Sequence, residues 1–119
     1  MSPSPSAIAF TMYPVSDVAR AVAFYRDALG LKPTEVAMDP WVEFAVGDAT
    51  FGVGTFEQVG TAGTAQSLSL EYPDISALRA HLTAHGIEST EPHETPVCFI
   101  SGVKDPDGNR IWLHQSKPR

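Results

Sequence analysis

The chain has 119 residues and a mass of 12.8 kDa, with 43% hydrophobic residues, 18% charged residues and a formal charge of −6. That is enough for one compact domain with a core of its own, and too apolar for a disordered chain. No apolar run approaches the roughly 18 residues of a membrane span, and the acidic balance has the wrong sign for a nucleic-acid partner. Cys98 is the single cysteine, so no internal disulfide and no cysteine-based zinc site can form. The opening Met-Ser-Pro-Ser-Pro-Ser lacks the basic region and apolar stretch of a leader, which points to the cytoplasm and to no membrane partner.

In chain order, residues 1–6 and 115–119 read as loose ends. A strand over 7–14 leads through Val15-Ser16-Asp17 into a helix whose apolar stripe is Val18, Ala21, Val22, Tyr25 and Leu29, ending at Gly30. Residues 34–38, 41–46 and 50–56 read as strands, the last two joined by the tight turn Gly47-Asp48. A second strand over 67–72 leads through Pro73-Asp74 into a helix with stripe Ile75, Leu78 and Leu82, ending at Gly86. A weak, proline-broken strand over 89–95 follows, then strands over 97–103 and 110–114 around the turn at 105–109. Asp17 and Asp74, 57 positions apart, are both placed as helix N-caps, and each helix has a glycine for its left-handed cap. The chain therefore reads as an α+β fold of two βαβββ modules, 7–59 and 67–115, joined by a Gly/Thr-rich linker at 60–66.

Pairing across Gly47-Asp48 puts Val42, Phe44, Phe51 and Val53 on one apolar face, which should cover a helix. The opposite face receives Trp41, Glu43, Ala45, Thr50, Gly52 and Gly54. Alternation places Ile111 and Leu113, like Leu68 and Leu70, on the helix side. Arg110, Trp112 and His114, like Ser67, Ser69 and Glu71, face away. A face of tryptophans, serines, glycines and a few acids suits a pocket better than solvent. Gly52 and Gly54 read as empty positions opposite bulky rings, a slot for a flat ligand. The turn at 105–109 has a plain structural reading, His81 and His85 complement a helix C-terminus, His93 carries no signal, and Cys98 reads as a buried strand residue.

Val15-Ser16-Asp17 with Ala21-Val22-Ala23-Phe24-Tyr25-Arg26-Asp27-Ala28-Leu29-Gly30-Leu31, and Asp105-Pro106-Asp107-Gly108-Asn109-Arg110-Ile111-Trp112-Leu113, together resemble the vicinal oxygen chelate superfamily of glyoxalase I, bleomycin-resistance proteins and extradiol dioxygenases. The resemblance covers about residues 7–115. It implies paired modules whose sheets curve into a cup, and in the metalloenzymes a divalent ion held by His, Glu or Gln at four cup positions. Those positions fall here on Phe10, Ser67, Gly52 and Trp112. None offers the oxygen or nitrogen donor such an ion needs, so neither a metal nor another cofactor is expected.

The first functional expectation is a metal-free binding protein of the bleomycin-resistance type. It would sequester an aromatic small molecule, cationic or neutral, among Phe10, Met12, Trp41, Glu43, Thr50, Gly52, Gly54, Ser67, Ser69, Glu71, Arg110, Trp112 and His114. The ring faces and acids would attract the cation. The second is a metal-free enzyme using Glu43 or Glu71, with carboxyls raised by desolvation against tryptophan, or His114 as acid and base. The third is a metalloenzyme with relocated ligands, His114 with Glu43 or Glu71. The uncovered sheet edges, and the family's habit, lead to the expectation of a homodimer.

Overall fold

A computed structural model describes residues 3–38 and 40–118, without the side chains of residues 36–38. Residues 1 and 2, part of the expected loose start, lie outside the described residues, as does Arg119. The strands are β1 (Thr11–Pro14), β2 (Lys32–Met38), β3 (Trp41–Val46), β4 (Ala49–Gly54), β5 (Leu68–Glu71), β6 (His93–Glu94), β7 (Cys98–Lys104) and β8 (Arg110–Ser116). They form two four-stranded mixed sheets of identical plan, β1-β4-β3-β2 and β5-β8-β7-β6. In each, the first strand pairs parallel with the last, and the remaining pairs are antiparallel. The βαβββ repeat expected from the sequence is thus built twice.

The β3–β4 register is the one the Gly47-Asp48 turn dictates: Val46 opposite Ala49, Phe44 opposite Phe51, Val42 opposite Val53. Gly47 takes φ +57, which a two-residue hairpin loop demands of its first residue. Helix α1 (Val18–Ala23) begins at Asp17, whose carboxylate accepts the Arg20 amide at 3.0 Å. Helix α2 (Ile75–Ala84) begins at Asp74, which accepts the Ala77 amide at 3.1 Å.

One departure from a regular helix lies in the first module. After Ala23 the chain widens into a π-helical turn, Phe24–Ala28, closed by the Leu29 amide on the Phe24 carbonyl at 3.3 Å. The wider turn rotates the stripe, so Phe24 and Ala28 join Ala21, Tyr25 and Leu29 in the core while Val18 and Val22 are only partly covered. In the second module the weak strand expected over 89–95 shrinks to His93–Glu94 and an isolated bridge between Ser89 and Val103. Pro92 and Pro96, lacking amide donors, cut the ladder on both sides. The C-terminus is firmer than expected. The Gln115 side chain accepts the Ile75 amide at 3.0 Å, Ser116 donates to Glu71, and the Lys117 amide reaches the Val97 carbonyl at 2.9 Å.

Both helices lie against the apolar sheet faces in one core, in which Phe44, Val53, Leu82, Ile111 and Leu113 are fully buried. A buried polar seam ties the modules together. Tyr13 donates its hydroxyl proton to the Arg110 carbonyl and accepts the Leu68 amide, both at 2.6 Å. Asn109 donates to the Pro14 carbonyl and to Asp105, each at 2.8 Å, and its side-chain oxygen accepts the Gly63 and Ala65 amides. The Asp105 carboxylate also accepts the Tyr25 hydroxyl at 2.8 Å. Burial, reinforced by that carboxylate, raises the Tyr25 phenol far above its ordinary value and keeps it a donor. Gly63, at φ +90, runs so close to the Asp107 carbonyl that a Cβ would sit 2.5 Å from it. The turn at 105–109, expected to be structural, is the joint between the two halves.

Candidate ligand-binding face

The faces turned away from the helices carry the residues expected there. On the first sheet the registers set Gly52 between Met12 and Glu43, Gly54 opposite Trp41, and Thr50 opposite Ala45. On the second, Ser69 lies beside Trp112 and Glu71 beside His114, while Gly102 is opposite Trp112 and Lys104 opposite Arg110. The two parallel registers, Met12 with Gly52 and Ser69 with Trp112, make Gly52 and Trp112 equivalent positions of the repeat. The modules use that position oppositely. The first places a large side chain on the neighbouring parallel strand and nothing on β4; the second does the reverse.

The expected slot over Gly52 and Gly54 is filled. A Cβ on Gly52 would lie 2.9 Å from the Met12 methyl, and one on Gly54 would lie 2.9 Å from the Phe56 ring and 3.1 Å from the Met12 sulfur. Met12 and Phe56 occupy the space, and Phe56 meets Trp41 edge-on at 6.0 Å between centroids. Trp112 behaves differently. Its ring lies over Gly102, 3.3 Å from where a Cβ would be, and its indole N–H donates to the Gln66 carbonyl at 3.0 Å. The Arg110 guanidinium sits 5.4 Å from the ring centroid. Trp112 is 37% exposed and Phe10 55% exposed, and among the described residues no ring contact joins them. Phe10 and Ser67 precede β1 and β5, both exposed.

Glu71 and His114 form a pair across β5 and β8, with His114 Nδ1 on the carboxylate at 2.5 Å and the Ser116 amide on its other oxygen at 2.7 Å. The Ser116 amide, opposed by some desolvation and helped by His114, holds the Glu71 carboxyl below its ordinary value. The raised carboxyl considered for Glu71 is therefore corrected: this acid is more than half exposed and hydrogen-bonded in its charged form.

Phenyl, hydroxymethyl, hydrogen and indole at the four family positions supply no metal-ligand set, so the site does not fit the divalent ion the superfamily implies. Among the described residues no three His, Cys, Asp or Glu side chains gather to replace it. Phe56, Gln66, Gly102 and Lys104 belong to the face and were not singled out in the sequence. Gly102 and Lys104 had a signal, the alternation along β7, but the five-residue turn at 105–109 leaves its register with β8 open.

These features have a family. The chain belongs to the Glyoxalase/Bleomycin resistance protein/Dioxygenase superfamily, whose model matches residues 7–113. Among solved structures it is similar to TnmS3, an antibiotic binding protein from Streptomyces sp. CB03234, with 26% identity, a TM-score of 0.85, and 98% of this chain and 100% of that chain covered. A glyoxalase/bleomycin resistance protein from the same organism shares 29% identity at a TM-score of 0.78, covering 92% of this chain and 100% of that one. A lactoylglutathione lyase from Agrobacterium tumefaciens, 22% identical at a TM-score of 0.76, shares the fold over 95% and 96% of the two chains. A search of curated proteins gave no match.

Proposed function

We propose that the protein binds an aromatic small molecule against the Trp112 face, without a metal and without transforming it. The observation that carries this reading is a large aromatic side chain half in solvent, laid on a glycine and steadied by Arg110 and the Gln66 carbonyl, where the superfamily's enzymes would need a ligand to metal. An indole fixed in this way is a ready stacking surface, because its rotamer freedom is already spent before the ligand arrives. The antibiotic-binding relative at 26% identity supports the same reading.

The binding unit is a homodimer. Supporting this, the chain exposes 7516 Å² and has a radius of gyration of 15.1 Å, against about 6,300 Å² and about 13.5 Å for a compact chain of this size. A second copy would give the open faces a wall. Light scattering at micromolar concentration should return twice the 12.8 kDa chain mass; a monomer mass overturns the dimer.

The test of binding is quenching of tryptophan emission by candidate aromatic ligands. Trp112→Ala should weaken binding by about 1–3 kcal/mol, as for anchoring aromatics elsewhere, with the fold kept. Unchanged affinity in that variant refutes the assignment of the face.

A second reading has one specific observation behind it. Glu71 orients His114 through Nδ1, which presents the other ring nitrogen as a proton acceptor, the geometry of a positioned general base. Glu43 is the remaining acid available to such chemistry. Consumption of a bound ligand by the parent protein but not by His114→Gln would favour that reading over sequestration.

A further inference from the structure

We propose that Arg110 and Lys104 form an oxyanion-recognising edge to the Trp112 face, so that the ligand is an aromatic acid and not an aromatic cation. This deepens the binding function proposed above and rests on it.

Lys104 and Arg110 are directly opposed in the β7–β8 ladder, at its end beside the 105–109 turn. Like charges in that relation repel, a cost the sheet must absorb elsewhere. The other arginines among the described residues are spent: Arg20 on Ser16 and Asp107, Arg26 on Asp27, Arg79 on Ser89 and Glu91. Lys117 is likewise paired with Glu94. Neither Lys104 nor Arg110 has a carboxylate within 4.0 Å among the described residues, and the Arg110 guanidinium finds only the Trp112 ring. Lys32 also lacks an ion pair among the described residues, but it stands alone; Lys104 and Arg110 are two uncompensated cations set against each other on a chain of net charge −6.

The local shape fits such a partner. Gly102 leaves the sheet bare under the guanidinium, where a Cβ would stand 2.6 Å from Arg110 Nη1. The Arg110 guanidinium therefore rests over the indole and above Gly102, held in place with no carboxylate on its N–H fork, the geometry that accepts the two oxygens of a carboxylate. A cleft of about 640 Å³ opens beside the two cations, lined by Ser89, Thr90, Gly102, Lys104 and Arg110, with Trp112 outside its lining. Glu88 also lines it, without coming within ion-pair distance of either cation. The cationic alternative meets two obstacles on the same sheet. Arg110 already takes the cation's place at the ring, and the Glu71 carboxylate is engaged by His114 and Ser116.

Calorimetric titration of the full chain with three isosteres tests this: 2-naphthoate, its neutral methyl ester, and 2-naphthylmethylammonium. The acid should bind about tenfold more tightly than the ester, as charge-assisted hydrogen bonds allow, and the cation most weakly. Arg110→Gln and Lys104→Gln should each bring the acid down to the ester's affinity. The unliganded Lys104→Gln protein should melt no lower than the parent, since a repulsion has been removed. Equal binding of all three probes, tightest binding of the cation, or an acid preference that survives both substitutions overturns the oxyanion site while the binding function stands. No binding of any probe at millimolar concentration overturns the site and counts against the binding function as well.

Discussion

Glu71 shows how one exposed carboxylate can make stability depend on pH. The Ser116 amide and His114 bind its charged form, and the folded-state carboxyl lies below its ordinary value. Such a group stabilises the fold fully above its unfolded value, and the contribution fades as pH falls through the folded one. Glu71→Gln should therefore lower the unfolding free energy at pH 7 by less than about 1 kcal/mol, because solvent screens an exposed pair. The difference from the parent should shrink as pH falls below the ordinary carboxylate value and through the lower folded one; a constant offset across the acid range would show that packing and not charge is involved. At this scale the sequence is legible by arithmetic: alternation set Glu71, His114, Trp112 and Ser69 on one face, while the register that puts Glu71 beside His114 and Ser69 beside Trp112 comes from the structure. It could not show that Met12 and Phe56 close over Gly52 and Gly54, because those contacts depend on rotamers and on a loop.

Among the elements, the hairpin and the caps were readable because each is determined by a few adjacent residues. Gly47-Asp48 sets a register, and Asp17 and Asp74 satisfy free helix amides. The π-helical turn at Phe24–Ala28 was not readable, since it arises from fitting Phe24, Tyr25 and Leu29 against a sheet that is distant in sequence. The truncated β6 shows the limit from the other side: its prolines were visible, but not how little pairing they would leave. The α2 stripe is the firmest element-level reading, with Leu82 fully buried and Leu78 nearly so. Leu82→Ala should cost about 2–5 kcal/mol in urea unfolding, the range for leucines removed from packed cores. A loss under 0.5 kcal/mol, roughly that of a surface change, would place α2 off the core.

For the whole molecule, the α+β repeat could be recognised, yet the join between its halves could not. The Asp105-Pro106-Asp107-Gly108-Asn109 string reads as a turn from composition alone; that Asn109 also holds Pro14 and the linker amides is a property of the assembled pair. This seam has a kinetic consequence. Its bonds join residues far apart in the chain: Tyr13 to Arg110 across 97 positions, Asn109 to Pro14 across 95, Tyr25 to Asp105 across 80. Closing so large a loop carries an entropy cost that local hairpins and helices avoid, so each module should take shape before the seam locks. Bonds made after the transition state govern how long a fold lasts, not how fast it forms. Asn109→Ala, which takes a partner from the Pro14 carbonyl and from the Gly63 and Ala65 amides at about 1–3 kcal/mol each, should accelerate unfolding by at least about a hundredfold in stopped-flow measurements and leave refolding nearly unchanged. Slowed refolding would instead place the seam in the nucleus. With refolding unchanged, the side chain that couples the two halves in space serves mainly as a brake on their separation in time.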